Sequence, residues 1–201
     1  MSDRPNDILD SPDALSVVLS RLQLNAEIFS NGEYFGRWSA TTAGSRRSPF
    51  HLIGRGKAWL HMPGHEKRMI SAGDLVVLPH DDEHYISSSF EDEFEDLSGN
   101  HHLNDKDGVE NDRDNQNSTQ MICGFFDFQN KSAWPLLNAL PEVIVLDLSD
   151  QSFGGSMRIL IELLIGELKA AQPGFYNVIN QLAYLVFVQV VRSQIDSGKL
   201  S

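Results

Sequence analysis

The chain has 201 residues, 41% of them apolar, and a formal net charge of −12. That length supports one substantial core or two small ones. The lone cysteine excludes an internal disulfide and fits a reducing compartment. The acidic balance argues against a polyanion-binding surface, which needs clustered Lys and Arg, and no apolar run approaches the roughly 20 residues that span a bilayer.

Ser11-Pro12-Asp13 reads as a helix start, with Ser11 as N-cap and Pro12 at the first helical position. Leu15, Val18, Leu19 and Leu22 follow at helical spacing. Residues 24–88 then read as short strands. Asn31-Gly32 is a hairpin-turn signal, and Gly54-Arg55-Gly56 and Pro63-Gly64 mark two further bends. Tyr34, Phe35, Trp38, Phe50 and Trp59 supply bulky apolar groups, and Leu75, Val76, Val77 and Leu78 form a run that stops at Pro79. Strands at this density predict an antiparallel barrel or sandwich.

Residues 89–117 break the pattern. They carry ten acids and two bases, which leaves a charge of only −4 on the rest of the chain. Residues 91–117 are therefore expected to be a mobile acidic insertion between barrel strands. Strands resume over 120–128 and 143–148. Met157, Leu160, Ile161, Leu164 and Leu168 form one helical stripe, ended by Pro173-Gly174. A second helix follows over 176–197. Its 182–188 stretch is apolar almost all round, so one face is left for a partner, and a homodimer through the C-terminal helices is expected.

The 73–84 stretch, Gly-Asp-Leu-Val-Val-Leu-Pro-His-Asp-Asp-Glu-His, resembles the second conserved motif of cupins. Phe50-His51-Leu52-Ile53-Gly54-Arg55-Gly56-Lys57-Ala58-Trp59-Leu60 resembles the signature hairpin of one cupin subgroup, the ligand-binding domain of AraC-type transcription regulators. The resemblance continues in Asp13-Ala14-Leu15, Cys123-Gly124-Phe125-Phe126, Pro135-Leu136-Leu137, Leu140-Pro141 and Phe187-Val188-Gln189, so it covers nearly the whole chain. It implies a mainly β fold with flanking α: a cupin-like antiparallel β-barrel (double-stranded β-helix or jelly roll) over 24–148 and a C-terminal helical pair over 152–198, within a single 1–201 domain. It also implies a cytoplasmic, dimeric sensor of a small-molecule effector. The DNA-reading module and any nucleic-acid contact are expected to lie outside this chain, and no secretory signal or membrane segment is read from it.

Metal-dependent cupins carry two His separated by one residue, then a Glu, ahead of the glycine matching Gly56. Here Gly44-Ser45-Arg46-Arg47-Ser48-Pro49 holds neither His nor carboxylate, and only His84 survives from the usual ligand set. An enzyme is therefore not expected. His51, which the resemblance turns inward with Pro49 and Ile53, remains available with His84 and Cys123. Two imidazoles and a thiolate suit Zn²⁺. Two readings stand side by side: a zinc site of His51, His84 and Cys123, which would leave an unusual metal-dependent cupin enzyme as the alternative function, or a hydrogen-bonded core imidazole beside a small buried thiol. His80 is a substitute ligand in the turn. A ligand pocket is expected from Phe50, His51, Trp59, His84, Cys123 and Phe125, although such aromatics also simply fill small barrels. His61 and His65 read as polar residues flanking a turn, His101-His102 as a solvated pair, Asp74 as a binder of local backbone, and Arg46-Arg47 and Lys67-Arg68 as solvated loop charge.

Overall fold

The strand-dense middle of the chain folds as two antiparallel sheets. The computed structural model describes residues 13–92, 118–148 and 154–199. Its strands are β1 (Leu24–Tyr34), β2 (Ser39–Ala40), β3 (Ser48–Arg55), β4 (Lys57–His61), β5 (Arg68–Ser71), β6 (Asp74–Val77), β7 (Tyr85–Ser87), β8 (Thr119–Phe128) and β9 (Ile144–Asp147). A five-stranded sheet runs β1-β8-β3-β6-β9 and a four-stranded sheet β2-β7-β4-β5. The helices are α1 (Ala14–Leu19), α2 (Trp134–Ala139), α3 (Gly154–Ala170) and α4 (Phe175–Asp196). The expected antiparallel β fold with helices at both ends is borne out.

The five-stranded sheet is covered on both faces, which explains the unbroken apolar run at 75–78. Leu75 and Val77 join Phe50, Leu52, Ile122 and Phe126 under the helices. Val76 and Leu78 join Ile53, Met121 and Cys123 between the sheets. A strand buried on one face alternates apolar and polar residues; one buried on both does not. Gly124 lets the helix-side layer close. A Cβ there would lie 2.4 Å from Phe50 Cζ and 2.5 Å from the Glu27 carbonyl oxygen.

Several local expectations change. The cap of α1 is Asp13, whose carboxylate accepts the Ser16 N–H at 2.9 Å and the Ser16 hydroxyl at 2.6 Å; Ser11 and Pro12 lie outside the described residues. Asn31-Gly32 is not a turn. It sits inside β1, opposite Ile122 and Met121 of β8, because ladder pairing along a long strand outweighs a local turn preference. Helix α2 was not anticipated from helical spacing. The expected acidic insertion falls mostly on 93–117, outside the described residues. At its start Asp92 is buried and ion-paired with Arg37 at 2.6 Å.

Helix α3 packs on α4, and α4 packs across β1, where the Asn180 side-chain carbonyl accepts the Ala26 N–H at 2.8 Å. Helix α4 is, by length and composition, apolar enough to cross a membrane, but half of its most apolar window is buried inside the fold. Within the 182–188 stretch expected to leave a face for a partner, Val188 is only 7% exposed and belongs to the core of its own chain, whereas Leu185 is 44% exposed.

Candidate functional site

Alternation on β3 turns His51 between the sheets, opposite Cys123 on β8 and Val76 on β6. The 79–84 turn, with Asp81 in the left-handed region at φ 62°, delivers His84 to the head of β7. The loop after β2 brings in Thr42. Its Oγ1 lies 3.2 Å from His51 Nε2 and 2.9 Å from His84 Nε2, and the two Nε2 atoms are 3.2 Å apart. Cys123 Sγ lies 3.1 Å from His51 Nδ1, on the other side of that ring. His51 is 1% exposed, His84 and Cys123 0%, and Thr42 is buried with them.

Counting protons settles the tautomers. His84 Nδ1 lies 2.8 Å from the Asp82 carbonyl, which only accepts, so Nδ1 carries the proton and Nε2 offers a lone pair. The Thr42 hydroxyl donates to that lone pair. A second bare lone pair on His51 Nε2, facing the first at 3.2 Å, would be left unpaired in an apolar interior. His51 therefore holds its proton on Nε2 and donates to Thr42, and the Cys123 thiol donates to His51 Nδ1. The result is a neutral relay from Cys123 through His51, Thr42 and His84 to the Asp82 carbonyl. Charge is excluded from it. Burial pushes the His51 pKa well below the usual imidazole value, with repulsion from His84 adding to the effect. Burial lowers His84 against the opposing pull of the Asp82 carbonyl and carboxylate, and burial pushes the Cys123 thiol far up.

The six residues expected to line a pocket divide. His51, His84, Cys123 and Phe125 share the space between the sheets. Phe125 stacks on Phe29 at 4.8 Å under the Arg47 guanidinium, 3.7 Å from its ring centre. Phe50 points the other way, into the helix-side core, 4.6 Å from the Phe126 ring. Trp59 faces away from the interior that its neighbours Ala58 and Leu60 fill, against Phe90. Strand alternation separates each from His51. The three residues expected to hold zinc do meet, but Cys123 addresses the wrong nitrogen of His51 to share an ion with His84 Nε2. Among the described residues, no group of three or more His, Cys, Asp or Glu is arranged to hold a metal ion.

Other expectations resolve individually. His61 is not a turn residue but is buried on β4. The Ser87 hydroxyl proton goes to the Ser89 carbonyl, so His61 Nε2 donates to Ser87 Oγ at 2.9 Å. His65 sits against Glu142 at 2.7 Å. His80 is held at the surface by donating to the Leu137 carbonyl at 2.7 Å, and Asp74 accepts the Ser71 N–H at 2.7 Å. Arg47 is not free loop charge: it pairs with Glu27 and covers Phe125. His101-His102 lie outside the described residues. Thr42 carried no sequence signal, being one hydroxyl among many in a loop. A surface cleft of about 510 Å³, where Gln23 and Asn25 meet Gln129, Gln181 and Tyr184, was equally invisible in the sequence.

A family described as "Cupin" matches residues 13–196. The HTH-type transcriptional regulator AlkR of Acinetobacter baylyi is 25% identical over 197 residues, which covers 93% of this chain and 63% of the regulator. The chain thus spans less than two thirds of the curated relative it matches. Among solved structures, ToxT of Vibrio cholerae, determined with an unsaturated fatty acid bound, superposes with a TM-score of 0.44 at 11% identity, covering 89% of this chain and 55% of ToxT. YhaK of Escherichia coli superposes with a TM-score of 0.30 at 15% identity, covering 63% of this chain and 42% of YhaK.

Proposed function

Since this chain belongs to the cupin family, we propose that it is the small-molecule-sensing and dimerising domain of an AraC-type transcription regulator, acting in the cytoplasm. The observation that carries the reading is the alignment of nearly the whole chain with part of a helix-turn-helix regulator, in line with the AraC-type resemblance of the 50–60 and 73–84 motifs. The interior supports it. A sensor needs a shielded, uncharged place where few polar groups fix a ligand's orientation. Thr42, His51 and His84 supply three such groups, buried between the sheets. A thermal-shift screen of the purified chain against small molecules tests this. The expected hits lose their shift in His51→Phe and keep it in Trp59→Ala, which removes an aromatic facing away from the interior. Shifts that survive His51→Phe but vanish in Gln181→Trp would move the effector site to the cleft beside Tyr184.

Dimerisation is part of the proposal. Val178 and Leu185 lie seven residues apart on α4, are 43% and 44% exposed, and so form one wet apolar stripe. Ile159 and Leu163 form another on α3. A two-fold pairing of α4 would bury its stripe in a closed assembly.

One observation favours metal binding as a second reading. Two imidazole nitrogens 3.2 Å apart match two bonds of about 2.0–2.1 Å to one zinc ion, and Thr42 Oγ1 forms the third corner of the triangle. His51 would then shift its proton to Nδ1 and direct it at Cys123 Sγ, making the sulfur the group that orients the imidazole. The donor set thus fits an ion held by His51 and His84, with Cys123 joining it only if the His51 ring turns. Elemental analysis after purification tests the site. In the two-imidazole arrangement Cys123→Ser retains metal at reduced affinity and His84→Phe loses it. Loss of all metal in Cys123→Ser would show a direct sulfur bond, and the absence of metal from wild-type protein would end the reading.

A further inference from the structure

The interior cluster is closed by two loops tied to each other. Loop 41–47 carries Thr42, and turn 79–84 carries His84. Arg46 and Asp81, two of the three described non-glycine residues with positive φ, occupy the left-handed region at 59° and 62°. The Asp81 carboxylate joins them. Its Oδ2 accepts the Arg46 N–H at 2.6 Å and its Oδ1 accepts the Ser45 hydroxyl at 3.1 Å. The Ser45 oxygen in turn accepts the Arg47 N–H at 3.1 Å. At the base of the loops the Ser48 hydroxyl donates to the Pro79 carbonyl at 2.6 Å. A side chain holds a left-handed backbone only where its surroundings over-determine it. Here the Asp81 carboxylate ties one left-handed residue to the backbone of the other, across the gap between the loops. The ladders beneath, which pair His51 with Cys123 and Val76, make no use of these bonds. The loops can therefore part while the sheets stay paired.

We infer that loops 41–47 and 79–84 form a latch, held shut by the Asp81 carboxylate, whose opening admits small molecules to Thr42, His51 and His84 and to Cys123 behind them. The latch governs access to the interior and does not depend on which ligand, if any, the interior binds. Its opening lifts Thr42 off both imidazoles and exposes little apolar surface, because the residues on either side remain in strands.

Cys123 is the only cysteine and is fully buried, so its alkylation by a small maleimide reports opening. Labelling is followed in native buffer with a chelator present, at rising urea concentrations below the unfolding transition. Local opening shows as a wild-type rate with a urea slope well below that of global unfolding, since the slope scales with exposed surface. Asp81→Ala is expected to label at least about tenfold faster, the size of losing hydrogen bonds to a charged acceptor. Its acceleration should exceed what its change in global stability accounts for. Asp81→Asn, which keeps one acceptor oxygen, should stay closer to wild type. A wild-type rate that follows the full global urea slope would overturn the latch. So would an Asp81→Ala rate that rises only in step with lost global stability. Should Asp81→Ala fail to fold, the wild-type urea slope decides alone.

Discussion

On one face of the five-stranded sheet Phe50, Phe126 and Phe187 interlock beneath the helices. On the other, Thr42, His51, His84 and Cys123 form a hydrogen-bonded chain among aliphatic neighbours. Both faces are buried, but they are held by different forces. The helix side gains from area removed from water and from close packing, which are non-directional. The inner side must satisfy every polar atom, so its residues depend on one another's position and protonation state. One face is built for stability. The other accepts the cost of burying polar groups and offsets it with hydrogen bonds among them.

Truncation on the helix side gives the largest effect. Phe187→Ala should cost about 3–5 kcal/mol in urea unfolding, and Val188→Asp, which buries a charge in the same layer, at least as much. On the inner face, His51→Leu removes one polar group and strands the Cys123 thiol and part of the hydrogen bonding of Thr42. A loss of about 1–3 kcal/mol is expected. A His51→Leu variant as stable as wild type would show that the inner residues do not support one another.

Lowering the pH sharpens the contrast further. In the metal-free protein His51 and His84 both titrate below the usual imidazole value when folded. Their full contribution is present above the unfolded value near pH 6.5. It is lost as pH falls from there toward the depressed folded values, because the unfolded chain takes up protons that the folded chain refuses. Each group adds up to about 1.4 kcal/mol per pH unit within that window. Urea midpoints measured from pH 7.5 down to 5 should fall in wild type and flatten in a His51→Gln, His84→Gln double variant, whereas Phe187→Ala should keep the wild-type pH slope. Outside both layers, Leu185→Asp should convert a dimer to a folded monomer in sedimentation. At protein concentrations low enough for wild type also to be monomeric, the two should differ in stability by no more than about 0.5 kcal/mol. A wild-type monomer at tens of micromolar would remove the dimer.

Much of the fold was legible from local pattern. The 75–78 run, the helical stripe from Met157 to Leu168 and the Pro173-Gly174 break each reflect a short-range rule, and each element stands near its expected place. Asn31-Gly32 misled because the same dipeptide that favours a turn is tolerated in a strand once β8 pairs along its length. Within the site, His51, His84 and Cys123 were legible as residue types and as members of one inward face. Phe50 and Trp59 were misplaced, because strand alternation turns both away from the inward face. Thr42 and the Asp81 tie between the loops could not be read at all, since nothing in the chain marks which hydroxyl or carboxylate the fold will bring home.

The sequence by itself determined the β-rich middle, the helical ends, the cupin resemblance and the pool of donor atoms, because periodicity and turn chemistry act over a few residues. Only the tertiary structure decided which ring nitrogen faces which partner, that a threonine rather than the cysteine completes the triangle of His51 and His84, and that one carboxylate ties two loops together. Those outcomes rest on contacts between residues such as Thr42 and His84, 42 positions apart, or His51 and Cys123, 72 apart. Hydrogen bonds are directional to within tenths of an ångström, and geometry on that scale exists only after the chain has packed.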